Sequence, residues 1–503
     1  MTQPPTEQET TRPWYPRHDQ PITLRSMPRW YRTIFVADAL ERFGFYGMQA
    51  ILVLYAAAPR EAGGLGLAAA DAASLFGAWI AAMFMLSLAG GWIGDRLLGH
   101  RPALQAGCAL MTLGYLGLGI PQGWVTAVAL CVLAVGGGLF KPNLQALYNL
   151  MYTGSTGRES GISLMYVAAQ ISALLAPLAA GYLGERVSWP LAFAVAALAA
   201  LLAALRLRVA WRQFGDTGAV AARPLAPAER RLVLRRTGTA LAALAALLVG
   251  MALGGVLDPT VAIALVGGCT VIVPVFGYLL VYRDPGLNAA DRRRLRAFLA
   301  VLLGSTLFWM IIAHAASLLN LFARDHVDRD VLGFRIPASW MQSATPTFIL
   351  VLAPVLAWLL PRVGTRNNVP VKFAIGLCLA GGSFLAMCLA AFLAADGTLV
   401  SPLWLFLVYF GHACGEVIIA AVSIAAVAEL LPAQFLGRMM GTYWLFAALG
   451  GGLGAGVVRL AEVFPEPVYY LGLGTVATVT GLGFLAARSR LTRALNATSS
   501  AGS

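Results

Sequence analysis

The chain has 503 residues, of which 59% are hydrophobic and only 12% charged, and its mean hydropathy is +0.74. So few charged groups cannot cover a water-facing globule of this size, so most of the surface must meet lipid. The net charge of +13 does not indicate nucleic acid, because the basic residues are scattered over short loops and form no domain or stripe.

Residues 1–32 are polar, Pro-containing and Arg-bearing, with no apolar core or cleavage site of a signal peptide, and are expected to be a cytoplasmic tail. Apolar runs of about 20 residues, the length of a membrane helix rather than of a barrel strand, then follow one another. They predict spans over 33–57, 72–94, 102–120, 124–149, 161–184 and 189–210, a six-helix bundle over 33–210. Residues 211–296 read as basic linkers around an inserted transmembrane hairpin, with spans over 237–256 and 261–282. Spans over 297–323, 337–360, 371–395, 402–430, 438–462 and 467–488 make a second six-helix bundle over 297–488. Residues 489–503 are expected to be a second cytoplasmic tail. The fold class is thus an all-α polytopic membrane protein with fourteen transmembrane helices. The six cysteines, Cys108, Cys131, Cys269, Cys378, Cys388 and Cys414, lie in or beside apolar runs without zinc or disulfide spacing, and are expected to be reduced packing residues.

With the N-terminus in the cytoplasm of a cell bounded by an inner membrane, six of the 36 Lys and Arg residues fall outside (Arg60, Arg186, Arg324, Arg329, Arg335, Arg459). Two lie within spans (Arg42, Lys141) and the rest on the cytoplasmic side. The opposite orientation would reverse this bias. Two six-helix halves are what the major facilitator fold requires, with a midplane site between them and access alternating by rocking. The loop Gly91-Trp-Ile-Gly-Asp95-Arg96-Leu-Leu-Gly99-His-Arg101 resembles that superfamily's signature, a gate component in which glycines turn the chain and Asp and Arg pair or cap helix ends.

An ionisable residue at the centre of a membrane helix costs about 2.5 to 3.5 kcal/mol on insertion scales, which makes each one a functional candidate. The first span carries Asp38, Glu41, Arg42 and Tyr46 at spacings of three and four, on one helical face. The fourth carries Lys141 after Gly136, Gly137 and Gly138, the ninth His314, and the twelfth His412 and Glu416 one turn apart. Lysine occurs only at Lys141 and Lys372, and unlike arginine a buried lysine can change protonation state. Positive groups in the first half (Arg42, Lys141) and a negative one in the second (Glu416) suit a short zwitterion. Its carboxylate would meet Arg42 and Lys141, and its ammonium Glu416. Asp38 and Glu41 are candidates to take up a proton. The alternatives are a structural ion-pair cluster at Asp38, Glu41 and Arg42, snorkelling of Lys141 to the cytoplasmic surface, and a bonded neutral acid at Glu416.

The stretch Asp38-Ala-Leu-Glu41-Arg42-Phe43-Gly-Phe45-Tyr46-Gly47 resembles ExxERFxYYG, the signature of the proton-coupled oligopeptide transporters. Four further blocks match in order: Gly138-Leu-Phe-Lys141-Pro142-Asn143, Met165-Tyr166-Val-Ala-Ala-Gln170, Pro337-Ala-Ser-Trp340-Met-Gln342-Ser-Ala-Thr345-Pro346, and Gly415-Glu416 with Met440-Gly441-Thr-Tyr-Trp444. The resemblance implies import of di- and tripeptides with protons by a chain that needs no cofactor, no metal and no catalytic residue, and that works as a monomer. It assigns proton coupling and carboxyl binding to Glu41 and Arg42, the peptide carboxyl end to Tyr46 and Lys141, and its amino end to Glu416. Gln170 and Thr345 stand where amides hold that amino end, and Trp340 and Trp444 are candidate pocket walls or packing residues. Ala313 replaces a coupling glutamate and Gln49 its arginine partner, so the pair is missing as a unit. His314 adjoins that position and His412 lies one turn from Glu416, so both are candidates to replace part of the proton path, against a plain packing role. Another small zwitterion or anion as cargo, drug-type export, and a non-transporting sensor on the same fold are the rival readings. A membrane enzyme would need a nucleophile with its base, paired aspartates or HExxH, and none occurs.

Overall fold

A computed structural model describes residues 22–23, 25–152, 155–253, 259–359, 368–430 and 435–495. Helices α1 (Arg29–Ala57), α2 (Ala69–Ile93), α3 (His100–Leu118), α4 (Gly123–Leu150), α5 (Ser155–Tyr182) and α6 (Trp189–Val209) pack into one bundle. Next come α7 (Pro227–Leu253) and α8 (Pro259–Tyr282). Then follow α9 (Ala289–Ala313), the short α10 (Leu318–His326), α11 (Ala344–Leu359), α12 (Val369–Ala394), α13 (Leu403–Leu430), α14 (Leu436–Val457), the short α15 (Leu460–Val463), α16 (Glu466–Ala486) and α17 (Arg488–Leu495). Among these, α9, α11, α12, α13, α14 and α16 form the second bundle. Among the described residues, eight helices are long and apolar enough to cross a membrane, and the chain is a multi-pass membrane protein. The end of the molecule from which α1 rises is called the terminus end below.

Glycines let the helices of the first bundle approach closely. A Cβ added at Gly90 of α2 would lie 2.0 Å from the carbonyl oxygen of Gly138 in α4, and one at Gly107 of α3 2.9 Å from that of Gly136. Lipid gives helices no hydrophobic reason to associate, so such backbone-to-backbone packing supplies the cohesion. Asn143 locks the joint, donating to the carbonyls of Gly90 (2.9 Å) and Leu139 (2.7 Å) while its Oδ1 faces His100 Nδ1 at 2.9 Å. Asp95 and His100 of the loop signature lie 3.4 Å apart beside this joint.

Three elements differ from expectation. The span expected over 297–323 begins at Ala289 under an Asn288–Asp291 capping box and breaks at a 3-10 turn over His314–Ala316. No Pro or Gly marks the break. Ser317 donates to Ala313 O (3.1 Å), and Asn320 reaches across to Ala50 O on α1 (2.7 Å). The span expected over 337–360 opens as a 3-10 helix, Ala338–Ser343, before α11. Part of the tail expected over 489–503 is the helix α17, and residues 496–503 lie outside the described ones. The segment over 211–296 holds α7 and α8, and α8 packs against both α14 and α2. A Cβ at Gly452 of α14 would lie 2.5 Å from Thr270 Oγ1, and the Tyr278 hydroxyl donates to Leu295 O at 3.2 Å.

Candidate functional site

One face of α1 presents the charges as their spacing predicts. Arg42 Nε donates to Asp38 Oδ2 at 2.8 Å, one turn away. Lys141 Nζ, brought in by α4, donates to both oxygens of Glu41 at 3.1 and 3.3 Å. Lys141 therefore points into the bundle and does not snorkel to a surface. The carboxylates are deeply buried, with side chains 5% and 1% exposed, while their cationic partners keep 32% and 24%. The cations thus line the open side of the cluster, where an incoming anion would meet them. Lys141 also sits 4.2 Å from the ring centre of Phe45, a cation–π contact worth about 0.5 to 2 kcal/mol.

Tyr46 adjoins the Arg42 guanidinium and lies in the field of Glu416, which comes from α13 of the other bundle. Tyr166 of α5 is 42% exposed, yet it also feels both Glu416 and Tyr46 and adjoins Gln170. Tyr166 thus stands near groups of both bundles, Tyr46 of the first and Glu416 of the second. Trp444 of α14, 40% exposed, is stacked on Phe84 of α2 at 6.5 Å with an interplanar angle of 3°, a contact between the bundles. Gln170 is buried at 8% exposure, and Thr345 Oγ1 has no hydrogen-bond partner among the described residues.

Other candidates lie apart from this group. Trp340 is at the opposite end, where its Nε1 donates to Leu178 O at 2.9 Å. His314 is buried in the second bundle, with Nδ1 2.8 Å from Met310 O and Nε2 2.6 Å from the Tyr469 hydroxyl. His412 packs across Phe384 from it, and among the described residues neither of its ring nitrogens has a hydrogen-bond partner.

At the opposite end polar bonds join the bundles. Glu185 accepts from Ala338 N, Ser339 N and Ser339 Oγ, Ser343 Oγ donates to Leu174 O, Gln342 Nε2 to Ala50 O, and Arg459 pairs with Asp71 at 3.0 Å. Sequence reasoning missed Tyr166, Phe45 and Glu185 as site residues. Tyr166 stood in a quoted block, but nothing local distinguishes a cavity-facing tyrosine from a packed one.

A model of the POT family (PTR2) matches residues 102–255 and 273–472. The chain belongs to the POT family. This POT-family protein is 30% identical over 458 residues to the uncharacterized transporter YclF of Bacillus subtilis, covering 90% of this chain and 92% of that one. It is 28% identical to a di-/tripeptide transporter of Lactococcus lactis subsp. cremoris, over 92% and 95% of the two chains. Among solved structures it resembles the peptide transporter POT in complex with sulfate, with 32% identity, a TM-score of 0.89 and coverage of 95% and 97%. It also resembles a POT family transporter in complex with 5-aminolevulinic acid, with 26% identity, a TM-score of 0.87 and coverage of 93% and 98%. These relatives of the POT-family chain are transporters, not enzymes.

Proposed function

We propose that this protein is a proton-coupled symporter that imports di- and tripeptides across the bacterial inner membrane by alternating access. Its two bundles are the halves of a major facilitator with fourteen spans and cytoplasmic termini, and it works as a monomer without a cofactor. The observation that carries the reading is the cluster of two ion pairs, Asp38–Arg42 and Glu41–Lys141, with Tyr46 between it and Glu416 of the other bundle. A peptide carboxylate entering between the bundles competes with Glu41 for Lys141, and its ammonium pairs with Glu416. Release from Lys141 leaves Glu41 a buried carboxylate without its partner, and the co-transported proton neutralises it. Peptide and proton thus neutralise the cluster together, and the bundles rock only when it is neutral. Inward movement of one proton gains about 2.3 kcal/mol per 100 mV of membrane potential.

The test is uptake of labelled dialanine into proteoliposomes under an inward proton gradient with a negative interior. Wild type should accumulate dialanine, Glu41→Gln should abolish accumulation, and Glu416→Gln should raise the peptide concentration needed for half-maximal uptake. Absence of uptake by well-folded wild type, with competition instead from single amino acids, 5-aminolevulinic acid, nitrate or dyes, would replace the peptide by another cargo. His314 and His412 belong to the proton path if the double Gln variant loses proton-driven accumulation. Full accumulation by that variant assigns them to packing.

A further inference from the structure

Glu185 lies in the π-helical turn Leu183–Val187 that ends α5, and its carboxylate crosses to the other bundle. Oε2 accepts from Ala338 N at 2.7 Å, and Oε1 from Ser339 N at 3.0 Å and Ser339 Oγ at 2.6 Å. These are the first residues of the 3-10 helix that leads into α11, so one carboxylate satisfies two orphan backbone donors of a helix start that belongs to the opposing bundle. Arg329, only 7% exposed, stands 3.9 Å from Oε2 and is itself held by donating to Ile336 O and Arg324 O. The carboxylate is thus balanced by the bundle it caps. Further along, Trp340 Nε1 and Ser343 Oγ donate to the carbonyls of Leu178 and Leu174, so the whole 3-10 segment supplies donors and α5 supplies acceptors. A Cβ at Gly181 would lie 2.0 Å from Ser339 Oγ, so α5 approaches this segment as closely as only glycine permits.

We propose that Glu185 is a positioning residue for transport, the latch that holds the two bundles together at the end opposite the termini. This rests on the alternating-access reading above. Opening that end separates α5 from the 3-10 segment and leaves a carboxylate and two backbone donors that only water can satisfy. The latch is therefore stable in the closed state and releasable where the bundle end meets the aqueous phase. Charge-assisted bonds of this kind are the strong ones, and two of the three run to backbone, which no side-chain substitution in the partner segment removes. The Asp71–Arg459 pair on the same end has both side chains about a third exposed and contributes less.

The test measures the distance between the bundles at this end in purified full-length protein in nanodiscs. Spin labels are placed at Ile120→Cys and Leu399→Cys after the six native cysteines are replaced by Ala. Both sites are exposed and neither touches the latch. Wild type should give mainly a short distance. Glu185→Ala should raise the ratio of the long-distance population by about tenfold or more, and Ser339→Ala, which keeps both backbone donors, by less. Concentrative dialanine uptake should fall in the same order. An unchanged distance distribution in monodisperse, fully helical Glu185→Ala protein overturns the latch. If Glu185→Ala does not fold, Glu185→Asp and Glu185→Gln should give a graded shift in the same direction, and no shift in either overturns it. Opening of this end in the variant, with no peptide uptake by wild type, leaves the latch standing and removes only the peptide reading.

Discussion

Lys141 and Glu41 illustrate how strongly two side chains a hundred positions apart can depend on each other. Glu41 is almost fully enclosed, so removing Lys141 leaves an uncompensated carboxylate, which costs about 3 to 5 kcal/mol in buried pairs. Lys141→Ala should therefore lower the melting temperature in detergent markedly, and Lys141→Ala/Glu41→Ala should recover most of that loss. A double-mutant cycle on melting curves checks this, and additive losses would show that the pair has no coupling. The i, i+4 spacing of Asp38 and Arg42 already implied their bond, because both lie on one helix. The partnership of Glu41 with Lys141 had no local sign, since it depends on how α4 docks against α1.

At the scale of the element, close packing by glycine separates otherwise similar positions. At Gly90 a methyl group has no room against the Gly138 carbonyl, whereas at Gly382 of α12 nothing lies within 4 Å of an added Cβ. Gly90→Ala should destabilise by about 1 to 3 kcal/mol or more through separation of α2 from α4. Gly382→Ala should be neutral or stabilising by up to about 1 kcal/mol through helix propensity. Thermal unfolding of the two variants side by side checks this, and equal behaviour would refute the packing argument. Both are glycines in apolar helices, and the sequence alone ranks them alike. The broken span after Ala313 has the same origin, because Asn320 finds its acceptor on α1 and not in its own helix.

At the scale of the whole molecule, the loop between α8 and α9 ties α8 to the second bundle. Asp284 Oδ1 accepts from Gly286 N at 2.9 Å, and Oδ2 from Arg438 at the start of α14 at 2.5 Å. The backbone donor first, and then the guanidinium, hold this carboxyl below its ordinary value. A lowered folded-state pKa means that the stabilisation is present above the unfolded value and is lost as pH falls through the folded one. The melting-temperature difference between wild type and Asp284→Asn should be full at neutral pH and should shrink steadily below about pH 4. A difference that grows on acidification would reverse the assignment. Since α8 touches both α14 and α2, this anchor places α8 across the seam between the bundles.

Composition and the length of the apolar runs were enough to establish a helical, lipid-embedded chain, because a bilayer admits few ways to satisfy a backbone. The motif blocks were enough to indicate the family, and helical spacing put Asp38, Arg42 and Tyr46 on one face. Tertiary structure alone decided that Lys141 turns inward to Glu41, that Tyr166 stands near Glu416 while Trp340 lies at the opposite end, and that Glu185 caps a helix start in the other bundle. The reason is the range of the interactions. Periodicity records what each helix does with its own turns and with lipid, whereas hydrogen bonds between residues 100 or 153 positions apart form only after the helices have docked.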